Sequence, residues 1–406
     1  MAEAVTAGAH PPVVSEGAAD LVIHARRLAD QASADPRRVE GEIRGLLARA
    51  ERAADPEALA LALRALALVH RFRWQPAPAA RLLDRALRIA VRHGLPFAEA
   101  QIRGTRAVVR QDRGDAAGAR RDVAAAEAAL ARADGVTDEE RGPVAVQLQL
   151  QRAVLAQNAG DQRDAERRYR RIAASPYATP GVRLRVENNL AIALAARGAY
   201  DEALAASRRA VALATAEGAA VAAMARQTHA WIVVRQGRLA EGLSELAEVA
   251  ATYAEAGVPL GEHHVELADA MADLRLLPEA IGAAQAAADE FAAAGTWLMW
   301  VEAQVRLARL QLAAGRPRLA RELAAQVAAR SGAQRRATWT DRARLVEAEA
   351  RLVDGEPMPA DATAAGRAAA RQEVGLRGVD QVARRPTSWP AGSRWRPAGP
   401  RPRARP

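Results

Sequence analysis

The sequence predicts an all-α fold, a right-handed superhelical solenoid of about nine helix-turn-helix repeats. Three observations lead there. A turn signal returns about every 40 residues, at Asp35, Trp74, Gly114, Gly160, Gly198, Gly237, Arg275, Gly315 and Gly355, and a fixed period of this size marks stacked supersecondary units. Alanine follows most of these turns at one fixed offset: Ala79, Ala119, Ala165, Ala203, Ala280, Ala320 and Ala360. Aromatic residues make up only 3% of the 406-residue chain, and Ala and Leu supply most of the 50% that is hydrophobic. Small apolar residues suit closely packed helices and serve a sheet poorly.

Taken in order, residues 1–18 are rich in Gly, Pro and Ala and read as a disordered start. Residues 19–375 carry apolar residues at helical spacing, interrupted at short intervals by Gly, Pro or Asp. The clearest unit runs from Arg185 to Ala214. Leu190, Ala191 and Leu194 make the inner stripe of a first helix, and Gly198 supplies the left-handed residue that ends it. Asp201 and Glu202 open a second helix, where negative charge complements the macrodipole. Ala203, Ser207 and Ala210 then offer a small-residue face to the first helix, allowing the two axes to approach closely.

This unit resembles a tetratricopeptide repeat, with Leu190, Ala191, Leu194, Gly198, Tyr200, Ala203 and Ala210 in the family's register. The same register returns at Ala153, Gly160, Ala165 and Tyr169, at Leu267, Ala268, Ala280 and Ala287, and at Leu307, Ala308, Gly315 and Ala320. Gly94, Gly218, Gly257 and Gly295 form a second series just after the second helices. The Ala/Arg-rich array also resembles the repeat region that precedes the CHAT peptidase domain in actinobacterial proteins. That domain needs a His and a Cys after the repeats, and this chain has no Cys.

Charge and composition narrow the function. The net charge is +10, yet the stretch from Arg384 onward holds Arg384, Arg385, Arg394, Arg396, Arg401, Arg403 and Arg405 without an acid. The basic character therefore belongs largely to residues 376–406, which read as a disordered Arg/Pro-rich tail. That tail is either a functional basic segment or the product of a truncated or shifted reading frame. Trp389 and Trp395 among its arginines could stack on bases, the one route to nucleic acid that the sequence offers. With neither Cys nor Lys, thiolate metal sites, cysteine nucleophiles and lysine Schiff bases are excluded. Signal-peptide and membrane-span patterns are absent, so the expected location is the cytoplasm.

No catalytic motif is present, and the expectation is a non-enzymatic protein with no cofactor. Glu262, His263, His264 and Glu266 form the one suggestive cluster. His263 and Glu266 could share a helix face, but a stable zinc site takes three or four protein ligands, so no metal is expected. A binding groove is the stronger expectation. The tetratricopeptide resemblance implies that the first helix of each repeat lines a concave surface, and its register selects Gln101, Gln111, Gln147, Gln157, Asn158, Arg185, Asn188, Gln227, Trp231 and Arg235. Carboxamides can bond both N–H and C=O of an extended peptide, and arginine can hold a carboxylate. Trp297 and Trp300 read instead as a staple between repeats. The implied partner is thus a protein or peptide, with no membrane; a transcriptional regulator with such repeats and a self-associating scaffold are the alternatives.

Overall fold

The computed structural model describes residues 18–32, 36–334 and 336–356. The expected N-terminal segment, the turn at Asp35, residues 357–375 of the repeat region and the tail with Trp389 and Trp395 lie outside the described residues. Seventeen α-helices, and no strand, are found among those described. The helices follow as α1 (Ala18–Gln31), α2 (Pro36–Arg52), α3 (Pro56–Phe72), α4 (Pro76–Arg92), α5 (Pro96–Asp112) and α6 (Ala116–Ala131). Next come α7 (Asp138–Asn158), α8 (Gln162–Ala173), α9 (Pro180–Ala196), α10 (Tyr200–Ala214), α11 (Ala219–Arg235) and α12 (Leu239–Ala256). The series ends with α13 (Gly261–Asp273), α14 (Leu277–Ala294), α15 (Trp297–Ala313), α16 (Pro317–Ala333) and α17 (Ala337–Val353).

Helix boundaries follow from local chemistry. Prolines 36, 56, 76 and 96 open four successive helices, using a ring that fixes φ where no amide donor is needed. Asp55 caps α3 by accepting from the amides of Glu57 and Ala58, both at 3.0 Å, and Thr137 and Glu140 form a capping box on α7. At the other ends the turn residues take left-handed backbone. Gly114 has φ +83°, Gly198 +80° and Gly237 +96°. In the α5–α6 turn the Gly114 amide donates to Gln111 O at 2.8 Å and the Asp115 amide to Arg110 O at 2.8 Å, a Schellman closure. Trp74 and Arg275 hold the same turn at φ +54° and +63° without being glycine, a strained choice for a residue with a Cβ.

Each pair is an antiparallel hairpin, and odd-numbered helices also touch the next odd-numbered helix, so they form one continuous inner layer. Alanines seal the pairs: Ala79, Ala119, Ala165, Ala203, Ala280 and Ala320 are all fully buried. The longest repeat, between Gly114 and Gly160, owes its length to the loop after α6 and to the 21 residues of α7. Charge enters the packing too. Asp122, 3% exposed in its side chain, lies between α5 and α6 and accepts from Arg106 at 2.6 and 2.9 Å and pairs with Arg110 at 3.1 Å. A carboxylate so enclosed requires partners of this kind.

The array returns on itself. Helix α15 contacts α5, and the Trp74 indole stacks on Phe291 of α14 with centroids 5.1 Å apart and planes 22° apart. Gly261, at the start of α13, lies so close that a Cβ there would meet the Phe291 and Trp74 rings at 2.9 Å. The Gln334 side chain abuts the Gly114 turn in the same way. Beside this junction Trp300 meets Trp297 edge-on at 5.9 Å, and the Arg330 guanidinium of α16 sits 3.7 Å over the Trp297 ring. Both tryptophans also join one cluster with Phe291 of α14 and Ala343 of α17, and so do pack between repeats. No helix among the described residues is long and apolar enough to cross a membrane.

Candidate ligand-binding surface inside the superhelix

The inner layer carries charges that act on one another across the interior. Arg185 of α9 interacts electrostatically with Asp30 of α1 and with Arg64 and Arg71 of α3. These helices belong to repeats far apart in the chain, so the interaction runs through the space the superhelix encloses. Water reaches Arg185, but helices surround it, and this desolvation lowers its guanidinium to about 10, with Arg71 adding repulsion. Desolvation likewise lowers Arg64 and raises Asp30. Arg64 donates to Thr105 Oγ1 at 2.8 Å and to Gln101 Oε1 at 3.4 Å, and Arg185 donates to Gln147 Oε1 at 2.6 Å. Repeats 1 to 5 therefore present a mostly basic inner wall braced by carboxamides.

The wall of α13 and α15 has the opposite sign. Water reaches Glu262, but the helices around it desolvate it and raise it to about 7, against an attractive effect of Arg71 and with repulsion from Asp112 and Glu302. Glu266 is pushed well above the usual carboxylate range, first by burial, with a side-chain hydrogen bond from Gln227 opposing the shift. Nearby, Asp269 pairs with Arg306 at 3.1 Å and Glu302 with Arg336 at 2.9 Å. His263 does not join the two glutamates: its side chain is buried, and desolvation together with its neighbour His264 lowers it to about 4. The sequence cluster therefore divides, with Glu262 and Glu266, one turn apart, facing the interior charges and His263 turned into the packing.

The residues selected from the sequence occupy several kinds of position. Asn188, 8% exposed, and Gln227, 4% exposed, have carboxamide oxygens without a hydrogen-bond partner, and so has Gln111 at 6% exposure. Gln147 and Gln101 brace arginines. Gln157 accepts from the Tyr169 hydroxyl at 2.6 Å, a contact between α7 and α8 that occupies its oxygen. Asn158 ends α7 half-buried, Arg235 ends α11 exposed, and Trp231 packs its half-buried ring against the core of repeats 4 to 6. Sequence reasoning missed Asp30, Arg64, Glu302 and Arg306 altogether; it weighed Glu266, with His263, only as a metal pair that it set aside, and gave Glu262 no role beyond the cluster. A signal was available. The register that contains Gln101, Gln147 and Arg185, carried forward to the turns at Arg275 and Gly315, falls on Glu262 and Glu302.

No protein-family model matches the chain, and no curated protein matches it. Solved structures do. The chain is similar to a Rap protein complexed with competence and sporulation factor: TM-score 0.58, 12% identity, covering 88% of this chain and 99% of that chain. The fold is a tetratricopeptide-type solenoid. A further similarity is to NprR in complex with its cognate peptide NprX, with TM-score 0.50, 14% identity, and coverage of 66% of this chain and 76% of that chain. At these identities the likeness concerns architecture, and the chemistry of the inner surface has to be read from this chain's own side chains.

Proposed function

We propose that this chain is a binding module that captures a short extended peptide on the inner face of its superhelix. The observation that carries the reading is the series of buried, unpartnered carboxamide oxygens at Gln111, Asn188 and Gln227 on inner-layer helices. A buried acceptor left without a donor costs about 1–3 kcal/mol, and the amides of an extended backbone are the donors that such a series fits. Arg185 and Gln147 supply the charge and the second carboxamide, Trp231 and Arg235 extend the surface along α11, and Gln157 and Asn158 border it at the end of α7. Two proteins of this fold were solved with a factor or a cognate peptide bound, which supports the same use of the interior here. A place in the sensing half of a CHAT-type peptidase or signalling system is part of this proposal and rests on the Ala/Arg-rich repeat pattern alone.

The test is affinity selection of an equimolar library of free hexapeptides by the immobilised protein, read by mass spectrometry. A defined subset is expected to be retained, and the double substitution Asn188→Ala, Gln227→Ala is expected to reduce its retention at least tenfold. Retention of no subset, or of the same subset by the double variant, overturns the reading.

A further inference from the structure

On the acidic wall, charges and counter-charges do not come out even. Arg71 donates to Asp112 at 2.8 Å, Arg306 pairs with Asp269 at 3.1 Å, and Arg336 pairs with Glu302 at 2.9 Å. Each guanidinium near this wall is thus held by a carboxylate other than Glu262 or Glu266. Among the described residues, neither of these glutamates forms an ion pair, and Glu266 Oε2 is buried with no hydrogen-bond partner. Directly beside them, Gln227 is 96% buried by its 4% exposure, bonds Glu266 and leaves its own oxygen unpartnered. Two carboxyl groups and a carboxamide oxygen therefore lie close by with acceptors to spare and no cation paired with either carboxyl group.

We propose that Glu262, Glu266 and Gln227 form a seat for a positively charged nitrogen of the bound ligand. The inference rests on the peptide reading above and deepens it: the captured peptide carries either its free α-ammonium or a basic side chain at this point. Ammonium and guanidinium both present several N–H donors and no acceptor, which matches a site whose unpartnered atoms are acceptors. Desolvation holds Glu262 and Glu266 above the ordinary carboxylate range despite the attraction of Arg71 and Arg306, and a cation seated between them favours their charged forms. The opposite wall completes the match, since Arg64 and Arg185 are suited to a carboxylate. Arg71 interacts electrostatically with both Arg185 and Glu262.

The experiment uses the full chain and three hexapeptide libraries: free, N-acetylated, and N-acetylated without Arg, Lys or His. Retention is expected to fall at least tenfold in the third library. A fall already complete on acetylation assigns the seat to the α-ammonium, and a fall only when basic residues are removed assigns it to a side chain. The double substitution Glu262→Gln, Glu266→Gln, checked for an unchanged far-ultraviolet circular dichroism spectrum, is expected to abolish that discrimination. Equal retention of all three libraries by the wild-type protein overturns the cation seat and leaves the peptide surface standing. Retention of none of them overturns both.

Discussion

Replacing Trp74 with alanine is expected to loosen the junction at which the array meets itself. The indole is more than half buried, and it lies against Phe291 and the Gly261 backbone, both contributed by distant repeats. A buried tryptophan removes roughly 150–250 Å² from water. At about 25 cal/mol per Å², covering ~150 Å² contributes about 4 kcal/mol, and the stacked geometry adds about 0.5–1.5 kcal/mol. Alanine keeps a small part of this, so the expected loss is about 3–5 kcal/mol. The position has a second component, its left-handed backbone at φ +54°. Trp74→Gly relieves that strain and is expected to be about 1 kcal/mol more stable than Trp74→Ala. Urea unfolding supplies the free energies, and small-angle scattering supplies the shape, with a larger radius of gyration expected for both variants. A loss below about 1 kcal/mol together with an unchanged radius would refute the idea that this contact holds the two ends of the superhelical turn together.

Other positions give sharper local tests. Arg275→Gly replaces an exposed side chain at φ +63° with the residue used at most of the equivalent turns, and is expected to raise stability by about 1 kcal/mol in urea unfolding; a decrease contradicts the strained turn. Ala203→Trp inserts a large ring where α9 and α10 leave no exposed surface at all, and is expected to cost about 1–3 kcal/mol or more and lower the melting temperature, with an unchanged melt counting against the pairing. Stability should also depend on pH in a particular direction. Glu262 is raised to about 7 and Glu266 is also well above its usual range, so the folded chain binds more protons than the unfolded chain between about pH 4.5 and 7. Their contribution is full below pH 4.5 and is lost as pH rises through 7. Water reaches Glu262, so the effect is discounted to about 1–2 kcal/mol, and the Glu262→Gln, Glu266→Gln variant is expected to flatten the profile.

The helical hairpins were legible because their signals are local and repeated. A left-handed residue must end each first helix, and periodicity locates it even at Trp74 and Arg275, where composition alone argues against such a turn. Ala203 and Ala210 could be assigned to the packing face because only small side chains allow the observed approach. The interior was legible in part. Asn188 and Gln227 fall in one register on neighbouring inner helices, and one family pattern selects both. Gln157 fell in that pattern too, yet its oxygen is occupied by Tyr169, a contact that depends on the angle between α7 and α8 and leaves no trace in spacing. The pairing of walls was not legible. That Arg185 faces Asp30, or Arg71 faces Glu262, depends on the accumulated rotation from repeat to repeat, and small rotations sum over many helices before the walls meet.

The contact between α5 and α15 has a consequence for how such a chain can change in length. An open solenoid can lose or gain a middle unit and still bury its remaining interfaces, because each unit answers only to its neighbours. Here the Trp74 and Phe291 rings must arrive at the same place from opposite directions, so the number of hairpins between them is fixed by geometry. Excising one whole period between Gly114 and Gly237 would leave every surviving hairpin intact and still part the two aromatic rings.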